Sequence, residues 1–209
     1  MPCLTGRREE TDMQVIVATG NPGKLREFQR IFAPVGIEVS AQKGLYPDLK
    51  VEETGQTFGE NSFLKANAVH QLSGCAAVAD DSGLCVDALD GRPGVWSARY
   101  GGEQTSYPEK IQMLLEELKE IPWERRTARF VAHICYISPQ GERIDVEETC
   151  EGRIGYEPRG ERGFGFDPIF YVGEKSFSEL TDQEKDAISH RGKALRELER
   201  RLTARGVLK

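Results

Sequence analysis

The chain has 209 residues, 38% of them hydrophobic and 30% charged, with a formal net charge of −6. That length suits one ordinary domain or two small lobes with a packed core. The acidic balance argues against a nucleic-acid polymer as partner, because such binders usually carry a basic stripe. No apolar run approaches the roughly 20 residues that span a bilayer, so no membrane partner is expected.

Residues 1–12 are polar and lack the apolar stretch of a secretory signal. They read as a disordered extension, or as residues upstream of an alternative start at Met13, ahead of a single domain over 13–209. The chain is then expected in the cytoplasm. The five cysteines (Cys3, Cys75, Cys85, Cys135, Cys150) are scattered and odd in number, which argues for reduced thiols.

Gln14 to Ala18 is a β-branched run that reads as a strand. A helix should follow, with Asn21 as N-cap, Pro22 at the first helical position, and Leu25, Phe28, Ile31 and Phe32 on its apolar face. Ile37 to Ala41 is a second strand and 43–54 a loop. Thr57 and Glu60 have capping-box spacing, so a helix is predicted from about Phe58 to Leu72, stopping at Gly74. Cys75 to Ala79 and Leu84 to Leu89 read as two strands. Asp80 and Asp81 stand at the end of the first, with Ser82-Gly83 turning the chain away.

Ser106 and Glu109 form another capping box, opening a helix with Ile111, Leu114, Leu115 and Leu118 on one face. Thr127–Ile137 and Arg143–Gly152 are predicted to pair across a turn at 138–141. A glycine-rich loop (159–166) leads into a short strand at 168–172. Thr181 and Glu184 cap a further turn, and a last helix runs from about His190 to Ala204. Helices interleave with strands around an antiparallel hairpin, which predicts an α/β fold with a mixed sheet.

Several segments carry possible chemistry. Adjacent Asp80 and Asp81 repel each other, and a divalent metal would offset both charges, although Asp and Ser are also ordinary turn residues. Glu52 or Glu53 could join them around Mg²⁺, although acids ahead of a helix are ordinary capping electrostatics as well. Lys24 lies in a first helical turn, where the macrodipole disfavours a cation unless an anion shares the site. Lys65 follows Asn61 by one helical turn and shares its face. Lys185, His190 and Arg191 cluster near the C-terminus. Phe164 or Phe166, bracketed by glycines and followed by Asp167, could stack on a heterocycle.

The segments TGNPGK (19–24), EETGQTFGENSFLKA (52–66), ADDSGLCVDALDGRPGVWSARY (79–100), GFGFDPIF (163–170) and ELTDQEKDAISHRGKAL (179–195) occur together in this order. With them the chain closely resembles the non-canonical purine nucleoside triphosphate pyrophosphatases, also called inosine or xanthosine triphosphate pyrophosphatases. The resemblance runs from Met13 to the last helix. It implies a homodimeric α/β protein with an elongated mixed β-sheet flanked by helices, and two lobes around a nucleotide-binding cleft. It also implies Mg²⁺-dependent hydrolysis of XTP, ITP and dITP to the monophosphate and pyrophosphate. By motif position, Asp81 is the proton acceptor, and Glu52 with Asp81 serves the metal, Glu53 being the alternative. Thr19, Gly20, Asn21, Pro22, Gly23 and Lys24 hold the triphosphate. Lys65, Ser82, Phe164, Gly165, Phe166, Asp167, Lys185, His190 and Arg191 contact the nucleotide.

Purine selectivity would need a hydrogen-bond donor facing the 6-oxygen of the base, expected from backbone near Asp167 or from the His190-Arg191 helix start. Two readings compete: a Maf-type pyrophosphatase for pyrimidine or modified nucleotides, and a non-catalytic nucleotide sensor.

Overall fold

The computed structural model describes residues 13–208; the expected extension over 1–12 lies outside the described residues. In chain order the elements are β1 (Met13–Val17), α1 (Pro22–Phe32), β2 (Ile37–Ala41), α2 (Gln42–Leu45), α3 (Phe58–Ser73), β3 (Ala77–Val86) and α4 (Tyr107–Glu117). There follow β4 (Thr127–Ile137), β5 (Arg143–Ile154), β6 (Phe170–Val172), β7 (Lys175–Ser176), α5 (Asp182–Ile188) and α6 (His190–Ala204). The seven strands form one mixed sheet in the order β2-β1-β3-β4-β5-β6-β7. β1 pairs in parallel with β2 and β3, while β6 is antiparallel to both β5 and β7. β4 and β5 are neighbours joined by a tight turn, with Ser138 N–H bonded to Glu142 O at 2.8 Å. So short a connection can join only antiparallel strands.

The chain forms two compact units. One takes the residues up to Asp81, then His133–Glu147 and Arg191 onward; the other takes Ser82–Ala132 and Glu148–His190. In the first, Ile16, Ala77, Ala79, Cys135 and Ile137 pack with Ala66 and Val69 of α3. Residues two apart on a strand share a face, so Asp81 continues the row of Ala77 and Ala79 towards α3. Asp80 faces the other side of the sheet. In the second unit Leu84, Val86, Leu114, Leu118, Ile154 and Phe170 centre the core, each fully buried side chain contributing about 1.5–3 kcal/mol.

Local signals hold where they are strong. Asn21 Oδ1 accepts from the N–H groups of Gly23 (2.8 Å) and Lys24 (3.3 Å), and the capping boxes at Thr57, Ser106 and Thr181 all close. Three expectations are corrected. β3 runs unbroken through Asp80, Asp81, Ser82 and Gly83, so these residues are mid-strand and form no turn. The 43–54 loop begins with residues of the short helix α2. Cys85, Cys135 and Cys150 are free thiols, but Cys75 is disulfide-bonded. Among the described residues no helix is long and apolar enough to cross a membrane.

Candidate active site

Opposite orientation gives the two aspartates different partners. Asp80 is enclosed. Its Oδ2 receives Lys24 Nζ of α1 at 2.6 Å and Arg191 Nη2 of α6 at 3.1 Å. The second arm of the Arg191 guanidinium is bound by Glu27, also of α1 and also buried. Burial opposes the charge on Asp80, but Arg191 and Lys24 outweigh it and hold the carboxyl well below its ordinary 3.8. Arg191 is likewise kept charged: burial works against it, and Asp80 and Glu27 prevail. Lys24 is pushed down, first by burial and then by Lys65 and Arg191, against the pull of Asp80 and Asp81. A cation so placed, in the first turn of a helix, is best satisfied by an added anion.

Asp81 meets α3. Its Oδ1 takes Lys65 Nζ at 2.9 Å, and the same ammonium reaches Glu53 Oε1 at 2.7 Å. Its Oδ2 accepts from Asn61 Nδ2 at 3.3 Å. Asn61 and Lys65 are one helical turn apart, which brings both to the same strand position. Burial raises the Asp81 pKa despite Lys65 and Lys24, and Glu53 adds to the rise. Lys65 is desolvated too, yet Asp81 and Glu53 raise it. A buried carboxylate with a raised pKa has the properties of a general base.

Within the first unit, then, the predicted Thr19–Lys24 loop, Lys65, Asp81 and Arg191 are gathered, with Glu53 beside them. Gly20 is exposed, with open space where a side chain would stand. Glu52 is exposed, and among the described residues it makes no ion pair or hydrogen bond. Among the described residues no group of three or more His, Cys, Asp or Glu is placed to hold a metal. Glu27 was missed by sequence reasoning, although it sits one turn after Lys24 and Asn21 caps the same helix.

The second unit holds the remaining predicted residues. Asp167 Oδ2 accepts from Lys185 Nζ at 2.7 Å and from Phe164 N–H at 2.8 Å. Gly163 has φ +75°, and a side chain there would collide with that carboxylate, so the tight turn requires glycine. Lys185 Nζ stands 4.6 Å from the Phe164 ring centroid, a cation–π distance. Phe164 is half-buried, whereas Phe166 is core, edge-on to Tyr107 at 5.6 Å and Tyr100 at 6.3 Å. Only Phe164 is therefore presented for stacking. Gly165 links the two rings. His190 stacks on Phe130 at 4.8 Å and is buried. Ser82 lies half-buried on β3, one residue beyond Asp81.

Fold and site together define an α/β nucleotide-handling protein, with a cation-bearing helix start on one side of a strand and a lysine-paired carboxylate on the other. Residues 15–201 match the Ham1 family, and the chain belongs to it. A Bacillus cereus protein named dITP/XTP pyrophosphatase is 48% identical over 197 residues, covering 92% of this chain and 96% of that protein. The Staphylococcus aureus Ham1 protein superposes with a TM-score of 0.82 at 40% identity, covering 92% of this chain and 99% of that one. A Mycobacterium abscessus structure described as a nucleoside-triphosphatase / dITP/XTP pyrophosphatase gives a TM-score of 0.71 at 42% identity, covering 89% and 98%.

Proposed function

We propose that this protein is a nucleoside triphosphate pyrophosphatase that hydrolyses dITP, XTP and ITP to the monophosphate and pyrophosphate with Mg²⁺. The observation that carries the reading is Asp81, a carboxylate with a raised pKa that shares Lys65 with Glu53. Relatives of near-complete mutual coverage bear the name dITP/XTP pyrophosphatase.

A triphosphate carries about four negative charges, and the Thr19–Lys24 loop with Lys65 supplies its counter-charges. Asp81 accepts the proton of the attacking water, and no covalent intermediate is needed. Positioning and charge stabilisation do most of the catalysis. Arg191, held by Asp80 and Glu27, keeps Lys24 in place through the shared Asp80 carboxylate. Phe164 stacks on the base, with Asp167, Lys185 and His190 shaping its surroundings. Phe164 N–H is already bonded to Asp167, so the donor to the purine 6-oxygen is another backbone N–H near Asp167 or comes from the start of α6.

The donor set fits Mg²⁺, which prefers carboxylate oxygens: two carboxylates already converge on one cation, Lys65 Nζ. By family resemblance Glu52 and Asp81 would hold the ion, with Glu53, which shares Lys65 with Asp81, as the alternative ligand. When bound, it supplies Lewis-acid polarisation of the phosphoryl group. By family resemblance we also propose a homodimer working in the cytoplasm.

Pyrophosphate release from a panel of triphosphates, with and without Mg²⁺, tests the reading. dITP and XTP should be turned over only with the metal, and dATP by about 10⁴-fold less, the penalty for a mismatched hydrogen bond. Equal rates on dATP and dITP would contradict it. Loss of Mg²⁺ affinity in Glu53→Gln and not in Glu52→Gln would move the ligand to Glu53.

A further inference from the structure

The acidic loop ahead of α3 has no regular structure of its own, yet its end is held at three successive amides. Gln56 N–H and Thr57 N–H donate to Glu60 Oε2 at 2.6 and 3.1 Å, and Gly55 N–H donates to Asn61 Oδ1 at 2.8 Å. Both acceptor side chains come from the first turn of α3. The Asn61 side chain is completely buried, and its other end donates to Asp81 Oδ2 at 3.3 Å. The amide orientation follows from its partners: a backbone N–H can meet only the oxygen, and an ionised carboxylate only the nitrogen. Asparagine accepts on one side and donates on the other; leucine of similar volume would do neither.

Gly55 completes the fit. A Cβ there would stand 2.7 Å from Asn61 Oδ1 and 2.6 Å from Glu60 Cβ, so any side chain pushes the amide away.

We propose that Asn61 is a positioning residue for the pyrophosphatase reaction: its buried amide ties the backbone of the acidic loop to Asp81, fixing the carboxylate relative to Glu52 and Glu53. The proposal rests on the reading of Asp81 as proton acceptor. Asn61 acts through Asp81, whose carboxylate it holds, and is assigned no contact with substrate. The 3.3 Å bond is long, as is common for catalytic hydrogen bonds before substrate binds.

The test is a double-mutant cycle on dITP turnover with Asn61→Ala, Asp81→Ala and the double variant. It is combined with calorimetric binding of the non-hydrolysable α,β-methylene analogue of dITP to metal-free enzyme. Asn61→Ala should lower kcat by roughly 10- to 100-fold, the scale of a small misplacement of a catalytic group. KM and analogue affinity should stay within about threefold, and the loss should vanish in the Asp81→Ala background, because Asn61 acts through that residue. A kcat near wild type, or a loss that multiplies with Asp81→Ala, would overturn the proposal. Should Asn61→Ala fail to fold, Gly55→Ala decides, since it displaces the amide while leaving both side chains chemically intact. The same selective kcat loss supports the link, and unchanged kcat rejects it. Retained turnover in Asp81→Ala alone would remove the reading of Asp81 itself, and the proposal with it.

Discussion

Asp80 and Asp81 are neighbours on one strand, yet the two sides of the sheet treat them oppositely. On the α1/α6 side Asp80 is closed in by Lys24 and Arg191, and its charge is held firmly. On the α3 side Asp81 meets Lys65 and takes a long bond from Asn61, and burial dominates. One carboxylate is a structural anion, and the other is the one we propose as proton acceptor. Functional groups are commonly the ones left in a costly state, with stability supplied elsewhere.

The largest way to break this contrast is to remove the keystone of the Asp80 side. Arg191→Met leaves Glu27 and Asp80 buried with less compensation, and breaking a buried pair costs about 3–5 kcal/mol. For a chain of this size that is roughly 6–20 °C of melting temperature, at about 2–4 °C per kcal/mol. Calorimetry of the variant checks it, and a shift of a degree or two would mean the network contributes little.

Acid sharpens the same contrast. Asp80 binds fewer protons folded than unfolded, so its stabilisation is present above its ordinary 3.8 and is lost as pH falls below that value. Asp81 has the opposite sign: its folded pKa is raised, so stability associated with it declines as pH rises from 3.8 through the folded value. Urea midpoints between pH 3 and 7 should therefore fall steeply only at the acid end, and less steeply in an Asp80→Asn variant.

A smaller effect separates the aromatic region. Phe164→Ala removes a stacking surface worth roughly 1–3 kcal/mol, so KM for dITP should rise about 5- to 150-fold with stability little changed. Phe166→Ala should instead destabilise, since that ring is core. Smallest of all, Lys119→Ala breaks a pair with Glu116 at 2.5 Å that is more than half exposed on both sides. Such pairs contribute about 0–1 kcal/mol, and the melting temperature should barely move.

Much of this was legible in the sequence because local rules set it. The Asn21 cap, the three capping boxes and the stop at Gly74 depend on residues within one turn of each other. The i,i+4 relation of Asn61 and Lys65 likewise announced a shared face. What local reading mistook was β3. Asp80-Asp81-Ser82-Gly83 has the composition of a turn, and it continues as strand only because cations from α1, α3 and α6, remote in sequence, receive the two acids on opposite sides. Glu27 escaped notice for the same reason: its partner is Arg191, and nothing in the helix around it reveals that pairing.

Thermal denaturation of Asp80→Asn beside Asp81→Asn is the most direct trial, because the two substitutions are chemically identical and one residue apart. Asp80→Asn should melt well below the wild type, while Asp81→Asn should melt at or above it and release almost no pyrophosphate. Equal losses of stability in the two, or the reverse order, would show that the sheet does not divide the aspartates between architecture and chemistry.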